Sequence, residues 1–589
     1  MDEGTLILLI LVGAVLVIAV VTVLAAKLGV AGPLLLVAIG LAIALIPAVH
    51  IPPIPPDWIL VGVLPPLLYS AAVNLPAIEF RRDFRSISGL AVALVVVTAL
   101  ALGGFFWLVG IPLPVGIALG AILSPTDAVA TSIAKRLGIS PRVVTMLEGE
   151  SLLNDATALV LLRTAIVAIA GSFSFWGAVG SFVWAVVSAL VVGAVVGWIA
   201  LRVRAWVGGS AANTAISFAV PFLAYLPTEE LGGSGLVAAV VAGIVAGQGG
   251  RRLLTPEQRL SDRMNWHTVE LVLEGAVFLV MGLELREIVA ANVAESGGLW
   301  HGIWLALVAL AIVLAVRAGY VTFVVWSAGR RAGRLDRERL EAVGGRLDAI
   351  ADGRAPMPTR AGRRTGRGSG PGDGRPVDAA RAARRVSSLR RRVTQMIGDI
   401  DYYRRSPLNS RLGAVIVWAG MRGVVTLAAA QTLPREGIEH RALLVFIAFL
   451  VAVISLMLQG LTLPTLVRVL KVAEPASDPA AARQRAELDR QLHEASLAAL
   501  HSGRLVRRDG SAFPPELVET VTRRLTAERE APAEVDSHEL LELRLAAIGA
   551  MRRRLDDLSH GGAYSTEVLR LALAQLDADE LSLQLRMDD

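Results

Sequence analysis

Hydrophobic residues run through this chain in blocks of about twenty, the length a helix needs to cross a hydrocarbon core of about 30 Å. Such windows fall near residues 5–26, 30–46, 58–75, 87–108, 113–135, 144–170, 176–201, 212–226, 234–248, 266–285, 302–327, 410–433 and 441–469, the second, eighth and ninth being the shortest. The pattern predicts an all-α polytopic membrane protein with about thirteen transmembrane helices. After Leu470 the apolar blocks give way to helical periodicity. From Glu539 to Leu558, for example, Leu540, Leu543, Leu545, Ile548 and Leu555 recur among charges. A helical cytoplasmic tail is expected there.

The polar stretches between blocks alternate in charge. Lys27, then Arg81, Arg82 and Arg85, then Lys135, Arg136 and Arg142, then Arg202 and Arg204, then Arg251, Arg252, Arg259 and Arg263 occupy every second loop. The intervening loops are neutral, as at Gly171 to Phe175, or acidic, as at Glu229 and Glu230. Because basic residues collect on the cytoplasmic side, this places the N-terminus outside and the C-terminus inside a cell membrane. The first block follows Asp2 and Glu3 rather than a basic region, so it reads as a retained span and not a signal peptide.

Four segments follow from these patterns: a transmembrane part at 1–329, a basic cytoplasmic loop at 330–409, the last two membrane helices at 410–470, and a cytoplasmic, regulatory tail at 471–589. From Arg330 to Arg411 there are 21 arginines against nine acids, and the centre, Arg360 to Arg375, is rich in Gly, Arg and Pro. That composition cannot build a core and predicts disorder. From Glu474 onward 15 arginines face 22 acids, so loop and tail are expected to attract each other.

Composition narrows the function. Of 589 residues 54% are hydrophobic, and the mean hydropathy is +0.59, which excludes an ordinary soluble protein. The net charge of +6 sits in membrane-flanking loops and is topogenic, so membrane lipid is expected as a partner and nucleic acid is not. With no cysteine, disulfides, thiol chemistry and cysteine-ligated metals drop out. The eight histidines form no His-x-x-x-His pair. No cofactor is expected, and no metal beyond a transported monovalent cation.

Against this background two neighbouring blocks are polar in their middle. One carries Glu148-Gly149-Glu150-Ser151-Leu152-Leu153-Asn154-Asp155, the other Ser124-Pro125-Thr126-Asp127-Ala128. Ionisable groups at bilayer depth are costly and mark ion or proton paths. At about 1.5 Å of rise per residue, Asp155 lies roughly 15 Å into its span, and Arg422 in the twelfth span reaches a similar depth. Helical spacing puts Glu150 with Asn154 on one face and Ser151 with Asp155 on the next, with Glu148 a turn nearer the inner mouth. A buried charge needs a partner, so Glu150 is paired with Arg422, and Asp155 is left as the exchangeable carboxylate. Either a proton or a hard monovalent cation can neutralise it, so competition for one site enforces exchange. Pro125 and the Gly420-Met421-Arg422-Gly423 segment are expected to interrupt their helices and free backbone carbonyls, a device of secondary transporters.

These three segments resemble the signature motifs of NhaP-type sodium/proton antiporters, the group that includes the animal exchangers, and the likeness covers roughly residues 5–470. Leu64-Pro65-Pro66-Leu67-Leu68, and Glu229 with Ser234-Gly235, extend it. The resemblance implies thirteen helices with inverted six-helix repeats and broken crossing helices, a homodimer, and an elevator-like motion. It implies exchange of sodium, or of potassium or lithium, for protons at Asp155, with Ser151 and Thr126 as ligands and Asp127 and Asn154 beside them. It also implies Glu150 with Arg422 as an ion pair, and electroneutral exchange from Asn154. Ser70 stands where many relatives have an acid, and Glu274 where they often have Asn, so these two join Glu148 and Glu229 as further ion-path candidates. The rival reading is an intramembrane aspartyl protease using Asp127 and Asp155. Its Gly-x-Gly-Asp motif occurs only at Gly370 to Asp373, inside the basic loop.

Overall fold

The computed structural model describes residues 3–46, 55–169, 174–296, 298–332, 406–435, 438–473, 479–503, 505–507, 511–526, 537–561 and 564–588, with Met396, Asp399, Ile400, Tyr402 and Tyr403. It is helical almost throughout and divides into two compact units, Met1–Val325 with Asn409–Ala476, and Trp326–Leu408 with Ser477–Asp589. Most of the basic loop falls outside the described residues, and so do the disorder and the tail attraction expected of it.

The first unit contains α1 (Glu3–Leu28), α2 (Gly32–Ala44), α3 (Leu64–Val73, preceded by a π-helical turn Trp58–Val63), α4 (Ala77–Ser88), α5 (Leu94–Leu108), α6 (Leu113–Leu123), α7 (Val129–Arg136) and α8 (Pro141–Ile169). It continues with α9 (Phe175–Trp206), α10 (Ser210–Glu230), α11 (Gly235–Leu253), α12 (Pro256–Leu283), α13 (Leu285–Ser296), α14 (Trp300–Ala332), α15 (Ser410–Trp418), α16 (Val424–Gln431) and α17 (Arg441–Leu470). A π-helical turn, Gly89–Ala93, joins α4 to α5. Each window expected from hydropathy coincides with helix. Among the described residues seven stretches are both long and apolar enough to cross a membrane, and Gly32–Ala44, Trp58–Val73 and Leu113–Leu123 are shorter apolar helices. Helix starts ahead of two windows: α4 begins at Ala77, ten residues before the window at 87, and α12 begins at Pro256, ten residues before its apolar window. Its first turns are polar and so invisible to hydropathy, yet Thr255 and Gln258 close a capping box that starts the helix there.

The helices of this unit sort into two bundles. In the first, α11 packs on α9, α3 and α10, while α12 packs on α2, α10 and α1. Small residues set the spacing, as they do where apolar burial cannot drive association in lipid. Gly193 and Gly197 of α9 meet Ala238 and Ala242 of α11, and Gly243 and Gly247 of α11 meet the backbone of Tyr69 and Val73. In the second bundle α6 packs on α5 and α8, α4 packs on α8, and α17 packs on α15, α16, α6 and α7. The α14 helix joins it by setting Gly302 against Phe446 and Val325 against Gly413. The bundles touch where α8 lies on α3, α9 and α11, where α16 lies on α12, and where α17 lies on α2.

The second unit includes α18 (Pro479–His501), α19 (Pro515–Thr526), α20 (Ser537–Gly561) and α21 (Thr566–Asp588). Leu500, Phe513, Leu517, Val521 and Leu543 form its apolar centre. The periodic residues Leu543, Ile548 and Leu555 of α20 are all buried. On the polar side Arg552 ties α20 to α21 through Asp577, at 2.9 Å, and Glu580.

Candidate functional site

Two interrupted helices cross at the heart of the second bundle. The α6 helix stops at Leu123 because Pro125, two residues on, has no N–H to continue the ladder. The Ser124 hydroxyl donates to the Ala121 carbonyl at 2.8 Å, and helix resumes as α7 at Val129. Likewise α15 ends at Trp418 and α16 starts at Val424. The unwound segments are bonded to each other, the Asp127 N–H donating to the Met421 carbonyl at 2.8 Å. Asp127 turns its carboxylate back onto the start of α7, where Oδ1 accepts from the Val129 N–H at 3.0 Å. Position 423 must be glycine, because a Cβ there would overlap the Asp127 carboxylate. Both breaks expected at Pro125 and Gly420–Gly423 are therefore present and touch.

Beside this crossing, α8 presents the polar run. Glu150, 1% exposed, is paired with Arg317, also 1% exposed. The guanidinium grips it two-handed, Nη1 on Oε1 and Nη2 on Oε2 at 3.0 Å, and also donates to the Ile416 carbonyl from Nε at 3.1 Å. This corrects the expected pair of Glu150 with Arg422. Arg422 makes no ion pair with Glu150; it donates from Nε to the Leu123 carbonyl at 3.0 Å and from Nη1 to the Gly420 carbonyl, at 2% exposure. The physical reason lies in the breaks: unwound backbone offers carbonyl oxygens that solvate Arg422. Arg317 sits mid-way along the continuous 33-residue α14, whose own carbonyls are largely used by the helix, and it takes the carboxylate. Depth arithmetic alone could not choose between two arginines in one layer. A lone arginine in the middle of an apolar run was the signal for Arg317, and it was missed.

From Glu150 the network runs on. The Thr126 hydroxyl donates to Glu150 Oε1 at 3.4 Å and accepts from Asn154 Nδ2 at 2.7 Å. Asp155 is different. It is 5% exposed, its Oδ1 is buried without a partner, and among the described residues its carboxylate makes no hydrogen bond or ion pair. Asp127 lies within electrostatic reach of it. Ser151 is buried one turn earlier on the same face. The structure thus gathers Thr126, Asp127, Glu150, Ser151, Asn154 and Asp155 around the crossing.

The other candidates are spread more widely. Glu148 pairs with Lys135 of α7 at one end of the site. Glu229, at the end of α10, pairs at 2.6 Å with Arg163, two turns beyond Asp155 on α8, and accepts from the Gly235 N–H at 2.9 Å. Ser70 is buried on α3 with no partner for its hydroxyl among the described residues. Glu274, on α12, is within electrostatic reach of Asp127. A buried carboxylate without a partner among the described residues, beside unwound backbone and next to a neutralised Glu-Arg pair, can exchange one bound cation or proton for another.

Comparison with known proteins gives a consistent picture. A family model described as sodium/hydrogen exchanger, transmembrane, matches residues 13–339 and 393–469. The chain is 36% identical over 282 residues to an uncharacterized Na(+)/H(+) exchanger of Escherichia coli K12, a match spanning 45% of this chain and 51% of that protein. It is 28% identical over 475 residues to an uncharacterized Na(+)/H(+) exchanger of Mycobacterium bovis, covering 79% of this chain and 75% of the relative. A sodium, potassium, lithium and rubidium/H(+) antiporter of Bacillus subtilis matches at 32% over 271 residues, 44% of this chain and 40% of that one. The chain thus spans only about half of the first of these relatives. In fold it resembles the sodium proton antiporter MjNhaP1 from Methanocaldococcus jannaschii at pH 8, with a TM-score of 0.53 at 17% identity, over 80% of this chain and 100% of that one.

Proposed function

The chain belongs to the sodium/hydrogen exchanger family, and from that premise we propose that it exchanges sodium for protons across the cell membrane, with Asp155 as the shared site. One observation carries the reading: a buried carboxylate without hydrogen bond or ion pair among the described residues, set beside two crossed helix breaks. In the cycle, a cation displaces the Asp155 proton on one side of the membrane and a proton displaces the cation on the other. Because cation and proton neutralise the same oxygens, the loaded site crosses uncharged in either form, and the empty anionic site is held back by the cost of burying its charge.

Ser151 completes the ligand set from the preceding turn. The Thr126 hydroxyl already donates to Glu150 and accepts from Asn154, so it offers the cation its remaining lone pair. Asn154 holds Thr126 rather than carrying a second charge, which supports one cation exchanged for one proton. Asp127 caps α7 and shapes the site from the facing break. Potassium or lithium are alternative cargoes. The Bacillus subtilis relative is named for sodium, potassium, lithium and rubidium, so a broad monovalent range is the natural comparison. Alternate basic loops support an outer N-terminus and a cytoplasmic C-terminus. The exposed apolar faces of α1 and α9 suit lipid and a second copy in a homodimer. The segment at 330–409 and the tail are assigned to the cytoplasm, the tail to regulation. The relatives named above are described as exchangers or antiporters, which favours antiport over an aspartyl protease.

The deciding experiment uses the full chain in proteoliposomes with a preset pH gradient. Addition of sodium, potassium or lithium should dissipate it in the wild type, and Asp155→Asn should abolish the response. A retained response in Asp155→Asn would overturn the site.

A further inference from the structure

Polar side chains pair differently on the two sides of the Asp127–Asp155 layer. On the side of Glu148, several pairs lie inside their own bundle. Lys135 meets Glu148, and Arg142 holds Asp83 with Nε and Nη2 at 3.0 and 2.9 Å, both within the second bundle. Arg204 meets Asp262 at 2.9 Å and Asn213, and Gln258 donates to the Val207 carbonyl at 2.7 Å, all within the first bundle. On the opposite side the pairs cross between bundles. Arg163 of α8 bonds Glu229 at the end of α10 at 2.6 Å, and Gln431 at the end of α16 bonds Glu284, which caps α12, at 2.7 Å.

The first-bundle end of the Glu229 tie is rigid. Glu229 Oε1 accepts from the Gly235 N–H at the start of α11, where a carboxylate is favoured by the helix dipole. The turn between α10 and α11 is fastened to α9, with Trp184 Nε1 donating to the Leu231 carbonyl at 2.9 Å and the Ser234 N–H donating to the Ala185 carbonyl. Gly232 takes φ +72° within it, which only glycine adopts freely. Glu284 is fixed through its backbone N–H, which donates to the Val280 carbonyl. Arg163 is therefore the end that must let go of Glu229 if the bundles shift.

We propose that Arg163–Glu229 and Gln431–Glu284 form a two-point latch that closes the Asp155 site on the Arg163 side, and that both ties break whenever the site opens there. The idea rests on the antiport reading only in assuming that the bundles move relative to each other. With both ties formed, the conformation seen is the one closed on that side.

The chain has no cysteine, so a single introduced thiol reports accessibility without background. Ala158 and Leu162, 3% and 2% exposed, lie on α8 between Asp155 and Arg163. Full-length protein carrying Ala158→Cys or Leu162→Cys is reconstituted, and alkylation by a membrane-impermeant maleimide is timed from each face. Adding Glu229→Gln with Glu284→Gln should speed labelling from the Arg163 side by about three- to tenfold, the population shift expected from losing a partly exposed ion pair and one hydrogen bond. Labelling from the other face should slow. Arg163→Gln alone should give part of the effect and Arg163→Lys almost none, which keeps the test readable if the double variant is not recovered folded. Unchanged labelling in folded Arg163→Gln and in the double variant would overturn the latch. A labelling shift in protein that moves no cation would support the latch and count against the antiport reading instead.

Discussion

The two bundles of the membrane unit bury arginines in different ways. In the first, Arg204 is enclosed by Asp262 at 2.9 Å and by Asn213, whose Oδ1 accepts from Nε and Nη2 and whose Nδ2 donates back to the Arg204 carbonyl. Trp266 nearby donates to Ser217 at 2.7 Å. Asp262 leaves one oxygen without a partner, but its charge is cancelled. In the second bundle Arg317 is cancelled by Glu150, Arg422 is wrapped in carbonyls from the breaks, and Asp155 remains with neither partner nor counter-charge among the described residues. Buried charge alone is therefore a poor sign of function. What separates the proposed transport site from scaffold is a carboxylate left uncompensated, among the described residues, next to backbone that has been unwound.

The sharpest way to break this comparison is to remove one carboxylate from each bundle. Asp155→Asn should reduce cation-driven pH dissipation to the level of empty vesicles while the protein still purifies as a folded species, because no bond in the resting structure is lost. Asp262→Asn should do the reverse, leaving exchange measurable and lowering thermal stability, since Arg204 loses its counter-ion and breaking a buried pair costs about 3–5 kcal/mol. Equal loss of exchange in both variants, at equal stability, would erase the distinction.

A second test concerns which arginine serves Glu150. A double-mutant cycle of Glu150→Gln with Arg317→Gln, read as thermal or denaturant stability in detergent, should return a coupling of about 1–3 kcal/mol, the range for residues in direct contact. The same cycle with Arg422→Gln should return a clearly smaller coupling, because Arg422 spends its donors on the Leu123 and Gly420 carbonyls and meets Glu150 only through space. Comparable couplings would restore the pairing expected from sequence.

That pairing shows where sequence reasoning ends. The helix windows were legible because apolar length is a one-dimensional property, and the breaks were legible because proline and glycine act locally on the backbone. Glu150 and Asn154 on one helix face also follow from spacing alone, and Thr126 does meet both. Partner choice across helices is another matter. Glu150 and Arg317 are 167 residues apart, and nothing in local pattern says which of two mid-membrane arginines reaches a given carboxylate. The polar start of α12 was hidden for a simpler reason, since hydropathy measures lipid exposure and not helicity.

Glycine substitutions give a smaller contrast between the bundles. Gly423→Ala places a methyl on the Asp127 carboxylate itself, so the crossing must shift and exchange should fall about tenfold or more, as misplacement of a reacting group by about 1 Å commonly does. Gly193→Ala pushes on the Ala238 backbone, where the whole helix can move away; it should lower stability by about 1–3 kcal/mol and leave the cation dependence of exchange unchanged. Activity assays normalised to folded protein separate the two.

The smallest expected effect lies furthest from Asp155 in its chemistry. Trp266→Phe keeps the ring that packs against Tyr69 and Phe218, with centroids at 5.3 and 5.1 Å, and deletes only the hydrogen bond from Nε1 to Ser217. Stability should fall by about 0.5–1.5 kcal/mol, the net value of one such bond, with a further cost if the Ser217 hydroxyl finds no new partner. Exchange rate and apparent cation affinity should stay within twofold of wild type. A large change in cation affinity from so slight an edit would mean that the first bundle shapes the ion site directly, through Tyr69 and its neighbour Ser70, and that the division between scaffold and site is drawn in the wrong place.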